Sequence, residues 1–419
     1  MKIQDLMLKF PHLPEQIFQK LDNISLFKCR EVAKLWQNII DERNYTWLRI
    51  VNIPKKIFKK RHTYLHLAAE TGQIQAFKTA FNQEKNSNIK NNCGETSFHL
   101  SCKNGRILIA QFLLKNTELE INVTAKDNDG INLNAKTKSG YTAFSWACTR
   151  GHSDIVKILM ENAVALSIDL NMQDDYGMTG FHWACEGGHT NVVKSFIENA
   201  PFFIDFNARA NTGTTAFQKA CMYGHSDVVE ILMENAADLS IDLNAKDNTD
   251  FTSFHVACQW IRLDVVKLFM ENSSALSIDL NTKNRIGWTG FHWANHMGNS
   301  HLIKIFMENA ISLSIDLNAK DIDGMTGFHW ACKLGHAISV KIFMKNAIAL
   351  NIDLNAKTKL GKTAFHEACI YGHSNVVKIF KENAVALRID LSTKESDWDY
   401  WQVPKRKRKK AFALSTYQS

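Results

Sequence analysis

The feature that most constrains this chain is a short motif that recurs at a nearly constant interval. Residues 142–148 read Thr-Ala-Phe-Ser-Trp-Ala-Cys, and close copies begin at positions 179, 215, 252, 289, 326 and 363. Successive copies are 36 or 37 residues apart. A fixed period of this size is typical of a solenoid, in which each unit packs only on its neighbours. The repetitive part of the chain is therefore predicted to present an extended surface to another macromolecule.

One copy shows how such a unit folds. In residues 324–360, Gly324 suits a tight turn with a positive φ, and Thr326 can cap the helix that follows. Apolar residues then recur three or four positions apart on one helical face, until Gly335 ends the helix. A second amphipathic helix and a polar extended turn complete the unit. The order helix, turn, helix, hairpin loop predicts an all-α repeat array.

The composition is that of an intracellular folded protein. The 419 residues are 45% hydrophobic and 22% charged, and no window approaches a membrane span of about 18 apolar residues. Residues 1–10 lack the apolar centre of a signal peptide, so we expect a cytoplasmic or nuclear protein with no membrane segment. The net charge of +8 arises from two basic segments, 55–61 and 405–410. The array itself is therefore not expected to bind nucleic acid.

Seven of the nine cysteines occupy one equivalent position in successive units. A small apolar residue is required there, and free cysteine behaves as a small buried hydrophobe. The odd total also argues against a disulfide framework, so we expect buried, reduced thiols. These cysteines are Cys102, Cys148, Cys185, Cys221, Cys258, Cys332 and Cys369.

The unit resembles the ankyrin repeat. The resemblance rests on the Thr-x-Phe-His-x-Ala-Cys start, the Gly-His turn, the Val-Val-Lys of the second helix and the Asp-Leu-Asn-Ala ending. Two weaker copies precede the regular ones, which makes nine units within residues 62–397. The units start near residues 62, 94, 140, 177, 213, 250, 287, 324 and 361.

Three departures from the ankyrin pattern carry structural predictions. The units are about four residues longer than the usual 33, which predicts roughly one extra turn on the second helix. Residues 121–130 and 131–140 look like a duplicated hairpin, which predicts a protruding loop near Asn128. Ile261 replaces the glycine of the Gly-His turn in the sixth unit and puts a β-branched residue at a strained turn. The sixth unit is therefore predicted to be the weakest of the array.

Ankyrin repeats usually hold partners with their hairpin tips and the exposed side of their first helices, and large apolar residues occupy the matching positions here. Exposed apolar patches mark interaction sites, in which Trp, Tyr and Met are common. The resemblance implies that an unidentified target protein binds there; the alternative is that the enlarged units bury these side chains against one another. The predicted target-binding residues are Tyr141, Met178, Tyr223, Phe251, Trp260, Trp288, Met297, Met325, Leu334 and Tyr371. The tryptophans predicted to face the core are Trp146, Trp183, Trp293 and Trp330.

The sequence offers no candidate catalytic, cofactor or metal site, and the chain is not expected to be an enzyme. His and Cys recur at i and i+3, as in His329 and Cys332, a spacing that could hold zinc. Because one such pair cannot supply four ligands, we expect the histidine to bond to the backbone and the cysteine to fill the core. Residues 127–130 resemble the start of a calcium loop but lack its final glutamate. The asparagines of the Asp-Leu-Asn endings, such as Asn355, are predicted to brace the hairpins.

Residues 10–50 do not repeat and have the pattern of two short amphipathic helices. They resemble an F-box, the domain that docks on the Skp adaptor of cullin–RING ubiquitin ligases, although the Leu-Pro pair lies closer than usual to the second helix. The resemblance implies a substrate receptor whose array captures the target; the alternatives are a helical cap for the array and an ankyrin scaffold with no ligase link. The predicted adaptor-binding residues are Leu13, Pro14, Ile17, Leu21, Leu26, Cys29, Val32 and Trp36.

Two basic segments flank the array, a linker at 51–61 and a tail at 398–419 that is predicted to be disordered. Residues 404–410 read Pro-Lys-Arg-Lys-Arg-Lys-Lys, which resembles a nuclear import signal and implies importin as a partner. The alternative is a tail that adds solubility or touches RNA or acidic lipid. The predicted import residues are Lys405, Arg406, Lys407, Arg408, Lys409 and Lys410.

Overall fold

The computed structural model describes residues 63–83, 88–122, 131–199 and 203–392. Most of the predicted repeat array falls within these ranges. The F-box-like segment at 10–50, the basic linker, the loop near Asn128 and the basic tail lie outside the described residues.

The described residues form 18 α-helices and no β-strand. The helices come in nine consecutive pairs, so the prediction of an all-α repeat array is confirmed. In chain order they are α1 (Tyr64–Thr71), α2 (Ile74–Gln83), α3 (Ser97–Lys103), α4 (Ile107–Asn122), α5 (Ala143–Thr149), α6 (Ser153–Glu161), α7 (Gly180–Glu186), α8 (Thr190–Asn199), α9 (Ala216–Tyr223), α10 (Ser226–Glu234), α11 (Ser253–Gln259), α12 (Leu263–Asn272), α13 (Gly290–His296), α14 (Ser300–Asn309), α15 (Gly327–Lys333), α16 (Ala337–Asn346), α17 (Ala364–Ile370) and α18 (Ser374–Leu387).

The chain divides between Asn211 and Thr212 into two compact parts of several repeats each, which we call unit one and unit two. Unit one contains α1 to α8, and unit two contains α9 to α18. Within each unit, the first helices of neighbouring repeats pack on one another, and so do the second helices. Phenylalanines fill the space between them: the ring centroid of Phe328 lies 4.8 Å from that of Phe343 and 5.6 Å from that of Phe380. The apolar periodicity of the sequence thus becomes a core that continues from repeat to repeat inside each unit.

The first helices begin at the predicted threonines. Before α15, the backbone N–H of Thr326 donates to His329 Nδ1 at 3.2 Å, and His329 N–H in turn donates to the threonine hydroxyl at 3.4 Å. This is a capping box in which histidine takes the place of Glu or Gln. Gly324 and Gly335 adopt φ of 77° and 76°, the left-handed values that glycine tolerates. The predicted turns on both sides of the helix are therefore confirmed.

The residues that lengthen each repeat form an additional turn after the second helix. In the eighth repeat α16 ends at Asn346, and Leu350 N–H donates to the Asn346 carbonyl at 3.0 Å, an α-helical bond. Asn351 then ends this turn with a left-handed φ of 49°. In the ninth repeat α18 runs without a break to Leu387. The extra helical turn predicted from the repeat length is present.

The sixth repeat contains the strained turn expected at Ile261, whose φ is 55°. Asp250, which stands where most repeats have the glycine of the hairpin, is also left-handed, with φ 63°. A left-handed conformation costs a residue with a Cβ about 1–2 kcal/mol. Arg262 replaces the histidine of the turn and donates from Nε to the Met222 carbonyl at 2.8 Å. This bond to the preceding repeat is of the kind that His373 makes elsewhere.

Candidate protein-binding face

Unit two carries a row of large apolar side chains at one equivalent position. The position lies eight residues after the capping threonine, where each first helix ends. We call this row the apolar stripe; its members are Tyr223, Trp260, Met297, Leu334 and Tyr371. Trp260 is 52% exposed, Tyr223 44%, Tyr371 39% and Met297 38%, while Leu334 is half-buried.

The helical period explains why the stripe faces outward. The seventh and eighth residues after the threonine follow the fourth by three and four positions, so they lie on the same side of the helix as the fourth. The core phenylalanine and cysteine of each repeat, such as Phe328 and Cys332, lie on the opposite side and are buried. In unit one the equivalent positions hold Thr71, Asn104 and Arg150, and Gly187 stands in the fourth repeat. The stripe is therefore a property of unit two alone.

The predicted hairpin residues are less exposed than the first-helix residues. Met178, Trp288 and Met325 are buried, and Tyr141 and Phe251 are half-buried. Trp288 shows the reason, because its indole lies between two repeats, with ring centroids 4.5 Å from Trp293 and 4.8 Å from Trp330. At Met178, Trp288 and Met325 the enlarged repeats thus bury the side chains, as the alternative interpretation of the sequence foresaw.

The tryptophans predicted to be core lie under this face rather than between the helix layers. They occupy the fourth position after the capping threonine, on the same side of the helix as the stripe. Trp293 is buried, whereas Trp146, Trp183 and Trp330 are half-buried. Each packs on a hairpin side chain, as Trp146 does on Tyr141 at 4.5 Å between ring centroids.

Hairpin carboxylates accept hydrogen bonds from two of these indoles. Trp183 Nε1 donates to Asp174 Oδ2 at 2.8 Å, and Trp330 Nε1 donates to Asp321 Oδ2 at 3.0 Å. In the seventh repeat the hairpin residue is Asn284, whose side-chain Oδ1 already accepts from the backbone N–H of Trp288 at 2.9 Å. Among the described residues the buried indole N–H of Trp293 therefore has no acceptor.

Lysines, which are absent from the predicted target-binding residues, border the stripe. Lys333 Nζ lies 4.5 Å from the ring centroid of Trp330 and 5.5 Å from that of Tyr371. Lys219 and Lys362 lie on the same face of the fifth and ninth repeats, four residues after the capping threonine and one residue before it. Glu367, beside Lys333 and Lys362, is buried, and burial raises the pKa of its carboxyl group while the lysines act in the opposite direction. These lysines stand at three different positions of the repeat, so no repeated motif of the sequence predicts them.

The repeated histidines and cysteines have structural roles, as the sequence predicted. His255 Nδ1 accepts from the Thr252 backbone N–H at 3.2 Å, and its Nε2 bonds to the Trp288 carbonyl of the next repeat at 2.8 Å. Burial lowers the pKa of His255 to about 4. The seven repeat cysteines are buried and form no disulfide, and burial raises the pKa of Cys102 to about 12. Within the described ranges no group of three or more His, Cys, Asp or Glu residues could hold a metal ion.

The hairpin asparagines link successive repeats. Asn318 Nδ2 donates to the carbonyl of Asn351 at 2.9 Å, and its Oδ1 accepts from the backbone N–H of Asp353 at 2.9 Å. Asn355 makes the same pair of bonds one repeat later, to Arg388 and Asp390. These bonds confirm that the asparagines brace the hairpins.

Comparison with known proteins agrees with this architecture. The family model described as ankyrin repeats (3 copies) matches residues 46–127, 65–174, 128–210, 163–247, 200–284, 255–349 and 291–394. The chain belongs to the ankyrin-repeat family. Its fold is similar to the crystal structure of the ankyrin repeat domain of Bcl-3, described as a unique member of the IkappaB protein family, with TM-score 0.50 and 19% identity over 58% of this chain and 100% of that chain. No match was found among curated protein sequences.

The family gives this ankyrin-repeat protein a role in protein–protein interaction, which confirms the general function predicted from the sequence. The comparisons show no F-box domain, and they identify neither the Skp adaptor nor importin as a partner. No helix in the described part of the chain is long and apolar enough to cross a membrane.

Proposed function

We propose that this ankyrin-repeat protein is a non-catalytic adaptor that holds a target protein on the apolar stripe of unit two. One observation carries the proposal: five consecutive repeats place a large apolar side chain at the same outward-facing position, and four of these side chains are more than a third exposed. Large apolar groups gathered on one surface commonly mark an interaction site. Tryptophan and tyrosine are the residues that most often dominate binding energy.

The test compares two matched double variants of the full chain. Trp260→Ser with Tyr371→Ser removes the tryptophan and one of the two tyrosines of the stripe. Ile311→Ser with Ile348→Ser removes two still more exposed apolar side chains, which lie on the extra turns after the second helices. Affinity purification with quantitative mass spectrometry should lose partners only in the stripe variant, because truncating a hot spot weakens binding by about 2 kcal/mol or more. Partners retained by a folded stripe variant would refute the proposal.

A link to ubiquitin transfer extends the proposal and is supported by the resemblance of residues 10–50 to an F-box. The adaptor would then bind a Skp protein through residues such as Val32 and Trp36 and present its target to a cullin–RING ligase. Co-expression of the full chain with a Skp adaptor, followed by size-exclusion chromatography, tests the link. A one-to-one complex that Val32→Asp abolishes would support a substrate receptor, and absence of a complex would leave an ankyrin scaffold with no ligase link.

Nuclear import through residues 404–410 is a separate proposal, supported by the run of six basic residues at 405–410. Importin would bind this tail independently of the repeats. Deletion of 404–410 should move a fluorescent fusion from the nucleus to the cytoplasm without changing its thermal unfolding. An unchanged distribution would favour a solubilising tail instead.

A further inference from the structure

The charges on the same face of unit two are unevenly distributed. The face consists of the residue before each capping threonine and the fourth, seventh and eighth residues after it. At these positions unit two has Lys219, Lys333 and Lys362, which are half-exposed, and a single acid, Glu367, which is buried. At these four positions the lysines therefore outnumber the acid by three to one.

Unit one has no such imbalance. Its equivalent positions carry both signs: Glu70, Glu95 and Glu186 are acidic, and Lys103 and Arg150 are basic. Lys103 Nζ is also paired with Glu95 Oε1 at 2.7 Å. The apolar stripe and the excess of lysine therefore occur together on unit two.

Lys333 lies beside aromatic and apolar side chains, where an ion pair with a carboxylate of the partner is favourable. Its ammonium group rests against the faces of Trp330 and Tyr371, at 4.5 and 5.5 Å from the ring centroids, next to the stripe residue Leu334. An ion pair formed beside such apolar surfaces is screened less than one formed in open water. Complementary charges across an interface also speed association and select the partner.

We infer that the target segment bound by unit two is acidic as well as apolar, with large apolar side chains along the stripe and Asp or Glu carboxylates on Lys219, Lys333 and Lys362. This inference rests on the proposed function. Neighbouring packed helices lie roughly 8–10 Å apart, so the five stripe positions span on the order of 35 Å. About 12 residues of extended chain cover that length.

A protein segment fits this surface better than a nucleic acid does. Met297 and Leu334 interrupt the row of aromatic rings, whereas single-stranded nucleic acid is usually held on successive aromatic faces. The three lysines are also too few to follow a phosphate backbone, which requires a continuous basic groove. Binding of a nucleic acid is therefore an alternative outcome of the test.

The experiment uses a phage-displayed library of random peptides about 16 residues long. The library is depleted on the Trp260→Ser, Tyr371→Ser variant and then selected on the wild-type full chain. We expect the enriched peptides to combine Asp and Glu with Leu, Phe or Trp. Replacing the acids of one enriched peptide by Asn and Gln should weaken its binding roughly tenfold, and raising salt from about 0.05 to 0.5 M should weaken the acidic peptide far more than this neutral analogue.

Charge reversal on the protein provides the matched control. Lys333→Glu should weaken the acidic peptide about tenfold or more, while Lys341→Glu, an identical change on the exposed side of α16 in the same repeat, should leave its affinity unchanged. Equal effects of the two substitutions would overturn the inference, since a general change in net charge would then explain both.

The outcomes separate the inference from the proposed function. Enriched peptides that need the stripe but are neutral or basic would refute the acidic partner and leave the binding function intact. An oligothymidylate about 12 nucleotides long that displaces the acidic peptides and binds as tightly would replace the protein segment with a nucleic acid. A selection that enriches no stripe-dependent peptide would contradict the proposed function itself.

Discussion

At the scale of single residues, the face of unit two contains a buried indole N–H that has no acceptor among the described residues. Trp293 Nε1 is buried and unpartnered among the described residues, although Asp174 and Asp321 serve the equivalent indoles of the fourth and eighth repeats. The difference is one atom: Asn284 has an amide nitrogen where those aspartates have a second carboxylate oxygen. A buried donor without a partner costs about 1–3 kcal/mol.

Asn284→Asp is therefore expected to stabilise the protein. Its Oδ1 can keep the bonds that Asn284 makes to the backbone, and its Oδ2 can accept from Trp293 Nε1, for a gain of about 1 kcal/mol. Urea unfolding at neutral pH measures the change. The converse substitution, Asp321→Asn, should cost a similar amount because it leaves the Trp330 indole without its acceptor. A loss of stability in Asn284→Asp would mean that burial of the new charge outweighs the bond.

At the scale of the repeat, the sixth copy follows the same pattern as its neighbours, but its two turns have residues with a side chain where most repeats have glycine. Ile261 and Asp250 both have positive φ, which glycine adopts without strain in the eighth repeat. The side chain of Arg262 restores the bond to the preceding repeat, but it does not relieve the backbone. The strain is local, so a substitution can remove it.

Ile261→Gly should stabilise the protein by roughly 1 kcal/mol, since relief of the left-handed strain exceeds the entropy that glycine adds to the unfolded chain. Gly335→Ile is the matched opposite change. There a Cβ would overlap with the His373 imidazole, so steric overlap adds to the strain and the loss should be larger. Chemical unfolding of both variants checks the prediction. An Ile261→Gly variant less stable than wild type would show that packing of the Ile261 side chain outweighs the strain.

The sequence predicts the repeat better than it predicts the face. Thr326, His329 and Gly335 determine local conformation, so their helix start, cap and turn could be predicted from one copy. Exposure along the stripe followed from helical period in the same way. Burial of Trp288 was one of two alternatives that the sequence left open, because it depends on Trp330 of the next repeat and hence on how two repeats fit together. The lysines around the stripe could not be predicted either. Residues 219, 333 and 362 stand at different positions of their repeats, and they share only the face on which they lie.

At the scale of the whole molecule, the same histidine recurs in most repeats, so its protonation affects the stability of the protein several times over. Histidine stands three residues after most capping threonines, and burial lowers the pKa of His99, His255 and His329 to about 4 and also lowers that of His292. In the unfolded chain the same histidines titrate near pH 6.5. As the pH falls below about 6.5 the unfolded state therefore binds protons first, and stability is lost progressively down to about pH 4.

Each histidine whose pKa falls to about 4 contributes up to about 3 kcal/mol of this loss, which makes the protein markedly less resistant to urea at pH 5 than at pH 7.5. The fifth repeat supplies the control, because Gln218 replaces the histidine there: Oε1 accepts from the Thr215 backbone N–H at 2.9 Å and Nε2 donates to the Phe251 carbonyl at 2.8 Å. His255→Gln should keep both bonds and stay near wild-type stability at pH 7.5. At pH 5 it should lose about 2 kcal/mol less than wild type does. An identical pH dependence in the two proteins would show that acid acts through other groups, such as the hairpin carboxylates.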